Sequence, residues 1–306
     1  MENMGYDTSA YMQVPIGEKS VTTELSGDFT LPDYQPEIKR LLRVSASILP
    51  PSKSVGDSEA ELAGGIDYYV HYTGSDNQVY CAPLSSEYKI SVPMDKNELS
   101  LVNVTSDAET VPDMVSGRVT SPRKLNIKCR LKTRARMYGD APIDKSYESM
   151  GEDSQVLLGR SDVTRRIFAQ SEMIRLDDEI IQSAADGETR IICAKGNVLI
   201  GETAVSNGAA NCKGELYLKL LMCKEPNGTP YTSVRRMPFN STVMIEGATA
   251  GCEACAKGSV AEMSINVEEN RIAIDAGIIL ELSICINEGV TYVNDAYSTT
   301  HDTECT

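Results

Sequence analysis

Two stretches of the chain alternate apolar and polar residues with a period of two. From Leu125, the residues Leu125, Ile127, Cys129 and Leu131 alternate with Lys128, Arg130 and Lys132. Later, Ile272, Ile274, Ala276, Ile278, Leu280 and Leu282 repeat the pattern, with Asp275, Gly277, Ile279 and Glu281 between them. Successive strand residues point to opposite faces, so each stretch predicts a long strand with one buried face. Upstream of each lies an alternating run, a Gly/Asp/Asn turn and a second run: GIDYYVHYTGSDNQVY from Gly65 and GELYLKLLMCKEPNGTPY from Gly214. These end in Tyr80 and Tyr231 and carry the signature of β-hairpins.

The correspondences continue. Tyr88, Val92 and Met94 match Phe239, Val243 and Ile245, and Val55 matches Val205. The segments from Val44 to about Met137 and from Ala194 to about Ile284 therefore read as two copies of one module. Short strands between turn signals predict an all-β, mainly antiparallel fold: two tandem β-sandwich or barrel-like domains. The expected division is an N-terminal arm over 1–21, a first domain over 22–137, a linker over 138–170, a second domain over 171–286 and a C-terminal arm over 287–306. Within the linker, the stretch after Ser161 carries a helix-start cue at Asp162.

The run FTLPDYQPEIKRLLRV, Phe29 to Val44, predicts a short lead-in helix. Pro32 and Asp33 make a turn, Pro36 suits a first helical position, and Glu37 lies near the positive end of the dipole. Ile38, Leu41 and Leu42 fall on one helical face, opposite Lys39, Arg40 and Arg43.

Charge removes several function classes. Lys and Arg total 29 against 44 Asp and Glu, a net charge of −15. Binding to nucleic acid or anionic lipid needs the opposite sign, so neither is expected. The start MENMGYDTSA has no apolar run of a secretory signal, and Gly277–Ile286 is too short to span a membrane. Fourteen Tyr, three Phe and no Trp suit half-exposed strands and interfaces better than a sugar platform.

Catalytic chemistry finds little to work with. The two His are His71, in an ordinary strand position, and His301 in the tail. Asp177, Asp178 and Glu179 are chain neighbours and read as a solvated turn. Cys252-Glu253-Ala254-Cys255 follows Gly251 and is placed on a loop. It lacks the second ligand pair of a structural zinc site. Cys252, Cys255 and Cys305 are retained as redox or crosslinking candidates, with no metal and no cofactor expected.

The run Phe29–Val44 resembles the lead-in motif of the SPOCS domain, found in SipL-type spore coat morphogenetic proteins. In that family a Leu-Pro-Asp-Tyr-x-Pro-x-Ile-Lys-Arg-like run precedes a Val-rich β domain closed by a strand like LNIKCRLKTRA or IAIDAGIILEL. The resemblance covers about Thr22 to Ile286 as two tandem copies. The second copy lacks the Pro-Asp-Tyr turn, and no LysM-like segment follows. The resemblance implies a non-enzymatic scaffold of spore envelope assembly; without a signal peptide the chain is expected to be made in the cytoplasm and then deposited on the spore surface or envelope or in an extracellular assembly. Open sheet edges and a β-prone tail over Thr291–Thr300 add the expectation of self-assembly, into a fibre where contacts do not close, so the partners would be itself or spore coat proteins. The candidate interaction residues are Asp33, Tyr34, Pro36, Lys39 and Arg40 of the motif, with Tyr292 and Tyr297 of the β-prone tail. The alternatives are a monomeric adaptor for a spore morphogenetic protein and a carbohydrate- or wall-binding module.

Overall fold

The strand that begins at Leu125 runs the length of the first domain. In the computed structural model, β7 (Lys124–Pro142) buries Leu125, Ile127, Cys129, Leu131, Ala135 and Met137 on one face. The structure describes residues 11–56, 59–94, 101–143, 154–182, 188–225, 229–268 and 271–298. Every regular element among them is a strand.

β7 is the middle of a three-stranded antiparallel sheet between β1 (Tyr11–Thr30) and β6 (Val102–Ser121). A second sheet places β4 (Glu59–Gly74) between β5 (Val79–Pro93) and the pair β2 (Ile38–Ile48) and β3 (Ser52–Val55). Ile66, Tyr68, Val70 and Tyr72 of β4 face the β7 row and close the first core.

The second half repeats this order. β14 (Arg271–Ser298) lies between β13 (Glu253–Glu268) and the consecutive strands β8 (Ser154–Gln170) and β9 (Ile174–Ile181). β11 (Ala209–Lys224) lies between β10 (Thr189–Ser206) and β12 (Tyr231–Met244). Thus β8–β9 takes the place of β1, and β10 takes the place of β2–β3. Leu216, Leu218, Leu220 and Met222 of β11 meet Ile272, Ile274, Ile278, Leu280 and Ile284 of β14. Each such side chain contributes about 1.5–3 kcal/mol by leaving water. Asp178 of β9 accepts a bidentate bond from Arg235 of β12, at 2.7 and 2.9 Å, and ties one sheet's edge to the other. The acidic run 177–179 therefore lies on a strand and not in a turn.

Matching irregularities mark the two halves. β10 bulges between Ile200 and Glu202, at the level where Pro50 and Pro51 part β2 from β3. Pro supplies no N–H to the ladder there. Opposite, a Cβ on Gly214 would lie 2.3 Å from the Leu199 carbonyl oxygen, so only glycine fits.

The expected lead-in helix is a strand. β2 begins at Ile38 and bulges between Ile38 and Arg40 and again between Leu41 and Arg43. Each bulge inserts one residue, so Ile38, Leu41 and Val44 all reach the core at spacings of three. That spacing imitates a helix. Leu42, counted on the helical face, is exposed. A helix of two turns also lacks the length to stand against a paired ladder.

The expected arms and linker are strands too, where they are described. From Tyr11 onward the N-terminal arm is β1, in register with β7 from Tyr11↔Pro142. The linker segment with the helix cue at Asp162 is β8, paired with β14 along its whole length. The C-terminal arm continues β14 without a break as far as Ser298. Backbone groups of the long closing strands need partners, and these segments supply them.

Candidate functional site

The corner Leu31–Glu37 carries the chain from one sheet of the first domain to the other. Leu31 is buried, and its N–H donates to the Arg123 carbonyl at 2.9 Å. Arg123, in the β6–β7 turn, donates to the carbonyls of Gln35 and Pro32 at 3.0 and 2.9 Å. The buried Tyr72 hydroxyl donates between Gln35 Oε1 (2.9 Å) and the Pro36 carbonyl (3.0 Å). Burial first, then neighbouring Tyr80, pushes that phenol up to about 12, which keeps it a donor. The Pro-Asp-Tyr-x-Pro motif is thus a pinned chain reversal. It projects Asp33 and Tyr34 outward, with Tyr34 76 % exposed. Lys39 Nζ donates to Asn77 Oδ1 at 2.6 Å in the β4–β5 turn, where Asn77 has φ 65°. Arg40 is exposed.

Tyr292 and Tyr297 lie on the upper half of β14. Residues 286–298 pair with β8, whereas on the other side β13 reaches only Cys285. No residue of this two-stranded ribbon from 155 to 164 or from 287 to 298 is buried. Leu157 is 59 % exposed and Tyr297 51 %, with Leu158, Tyr292 and Val293 also exposed. Tyr292 covers Gly159, where a Cβ would lie 2.6 Å from the ring. Tyr297 bonds Gln155. Leu157 and Leu158 went unread in the sequence because they fell inside the expected linker.

The equivalent ribbon of the first domain, Tyr11–Gly17 with Met137–Pro142, is covered by β8. Arg165 donates at 2.8 Å to Asp140, whose side chain is 3 % exposed and which also accepts from Asn103 at 3.2 Å. Phe168 packs on Tyr138, ring centroids 6.1 Å apart.

A second seam joins the halves. The outward face of β4–β5 meets the start of β10, burying Cys81, Ile192 and Cys223 among Tyr69, Val79, Cys193 and Leu221. Arg190 donates to the Val79 carbonyl at 3.1 Å and stacks 4.6 Å from the Tyr80 ring centroid. Lys195 Nζ donates to Ser45 Oγ at 2.6 Å and sits 4.5 Å from the Tyr69 ring centroid. Beside it, the donor atoms of His71, Cys81 and Cys193 lie within 4.8 Å of one another. Hydrogen bonding from Cys81 draws the Cys193 thiol down; burial opposes this, and His71 and Lys195 assist it. Cys81 is held up, first by that same hydrogen bond and then by burial. The two thiols therefore lose their protons as a pair and not independently. A cleft of about 560 Å³ opens onto the two thiols, walled by Tyr34 and Tyr69 on one side and by Ile192 and Met263 on the other.

Cys252 and Cys255 do not converge. Cys252 lies just before β13, with its Sγ 3.2 Å from Thr249 Oγ1, while Cys255 is on the strand itself and exposed. The expected loop therefore ends at Cys252, and Cys255 lies outside it. Residues three apart along extended backbone are about 10 Å apart and face opposite ways. Cys305 and His301 lie outside the described residues.

A family model described as SipL, SPOCS domain matches residues 189–268, which span β10 to β13. It falls on the half that lacks the Pro-Asp-Tyr corner. No curated protein and no solved structure gave a match.

Proposed function

We propose that the chain is a non-catalytic, sporulation-linked scaffold subunit of two SPOCS domains that docks onto protein surfaces, first of all a second copy of itself. The observation that carries this reading is the contrast between the two ribbons. On the first domain the β1–β7 ribbon is covered by β8, through Arg165, Arg166 and Phe168. On the second domain the β8–β14 ribbon has no such cover among the described residues and leaves Leu157, Leu158, Tyr292, Val293 and Tyr297 exposed. A surface that is filled within the chain at one end and open at the other supports head-to-tail addition. Contacts of that kind build fibres when the rotation between successive copies does not close a ring, and the reading is of an open fibre. An apolar ribbon with free backbone groups along one margin is suited to strand addition. Deposition on the spore surface or envelope belongs to the same proposal.

The test is the double substitution Leu158→Lys and Tyr292→Lys in the full chain, followed by size-exclusion chromatography with light scattering. The reading expects assemblies for the unaltered protein and monomers for the variant. Assemblies of unchanged mass in the variant would remove the ribbon from the account.

A second reading, an adaptor for a spore morphogenetic protein, draws support from the corner that presents Tyr34 beside Asp33, Lys39 and Arg40. Tyr34→Ala would then abolish capture of that partner without altering the mass of the protein in solution.

A further inference from the structure

We propose that His71, Cys81 and Cys193 form a zinc site that fastens the second domain to the first. The three residues come from three strands, and the fold brings them together by two separate devices. His71 and Cys81 are directly opposed partners in the β4–β5 ladder. Directly opposed residues share a face, and here it is the outward one, since Val70, Tyr72 and Ala82 on either side point into the core. Cys193 arrives from the other domain. β10 bulges between Ile191 and Cys193, so that Ile192 is the extra residue opposite Met222 and Leu221. A bulge re-aims the side chains that follow it, and this one turns Cys193 toward the β4–β5 face. β2 carries a bulge at the same level, between Leu41 and Arg43. The device belongs to both halves, but only in the second does it deliver a thiol.

The donor set selects the metal class. Two sulfurs and an imidazole suit zinc, at about 2.3 Å from sulfur and 2.0–2.1 Å from nitrogen. Ligand atoms around such an ion stand about 3.3–3.8 Å apart, so three donors within 4.8 Å need only a small contraction. An independent observation points the same way. His71 Nδ1 is buried and has no hydrogen-bond partner among the described residues. A desolvated ring nitrogen without a partner is unfavourable, and an imidazole bound through this atom would gain the partner it lacks. Cys81 and Cys193 line the cleft, from which a water would supply the fourth ligand of a tetrahedron. Lys195, held by Ser45 and Tyr69, lies beside the thiols and balances the charge of two thiolates.

The ion would act as a clamp. The seam at this end otherwise rests on Arg190, Lys195 and a small apolar cluster. Fixing the angle between the domains would fix the direction in which a head-to-tail assembly grows.

The test uses the full chain, purified under reducing conditions without chelator. Metal analysis should find one zinc per chain. After removal of the zinc, titration with cobalt(II) should give thiolate-to-cobalt charge-transfer bands and the visible spectrum of a tetrahedral ion. Cys193→Ser, Cys81→Ser and His71→Gln should each abolish stoichiometric binding, while Cys255→Ser should not. Chelation should speed hydrogen exchange at the start of β10 and leave β7 unchanged, a readout that needs no variant to fold. Absence of both zinc and the cobalt spectrum would overturn the proposal. So would metal retained by all three variants, or a Cys81–Cys193 disulfide found in the reduced preparation.

Discussion

The side-chain amide of Gln13 serves the backbone of Arg166 as a neighbouring strand would: its Nε2 donates to the Arg166 carbonyl at 3.0 Å, and its Oε1 accepts from the Arg166 N–H at 2.7 Å. The two residues are 153 positions apart and belong to different halves. One amide thus satisfies both polar groups at the margin of β8 and joins the domains with the Arg165–Asp140 pair.

Gln13→Ala should therefore leave two part-buried groups of Arg166 without their partner, at a cost of about 1–3 kcal/mol. Hydrogen exchange at the Arg166 amide should accelerate by the corresponding factor, with β11 and β4 unaffected. An unchanged rate at Arg166 would show that the seam does not depend on this contact.

The two cores should respond as packed interiors. Leu280→Ala removes a fully buried side chain between β11 and β14 and should cost about 2–5 kcal/mol in urea unfolding. Leu199→Ala, at an exposed position of β10, should stay within about 0.5 kcal/mol. Similar losses at both positions would contradict the assignment of faces.

The Asp178–Arg235 tie sets a pH signature. The Arg235 guanidinium holds the Asp178 carboxyl below its ordinary value, against a smaller opposing effect of burial. A carboxyl whose folded pKa is depressed stabilises the fold above its unfolded pKa, about 3.9. That contribution is lost as pH falls through the lower, folded value. The stability gap between the unaltered protein and Asp178→Asn should be constant from about pH 5 to 7 and shrink below about pH 4. A gap that widens in acid would reverse the sign of the argument.

Thiol labelling followed by peptide mass analysis reads the strand faces directly. Cys255 is exposed, while Cys129 and Cys212 are buried and their thiols are pushed up by that burial. In the native protein Cys255 should react promptly, and Cys129 and Cys212 only after unfolding.

What was legible in the sequence followed from period-two alternation. The rows at Leu125 and Ile272 became β7 and β14, and the two hairpins lie where their turns placed them. The misreadings share a cause. The bulges of β2 spaced Ile38, Leu41 and Val44 by three, and a helix is the usual source of that spacing. A bulge is a property of two paired strands and is hidden in one. For the same reason His71 looked like an ordinary strand residue: its companions Cys81 and Cys193 are set by a ladder and by a contact between domains. Leu157 and Leu158 were passed over because they fell inside the expected linker, and only pairing with β14 gives that segment its form.

The most direct measurement of the central claim is the mass of the intact chain in solution over a wide range of concentration, by light scattering, with negative-stain images of the same samples. The account predicts masses that climb in whole-chain steps and particles that lengthen along one axis. A single monomeric mass at every concentration, with images of isolated two-domain particles, would contradict it.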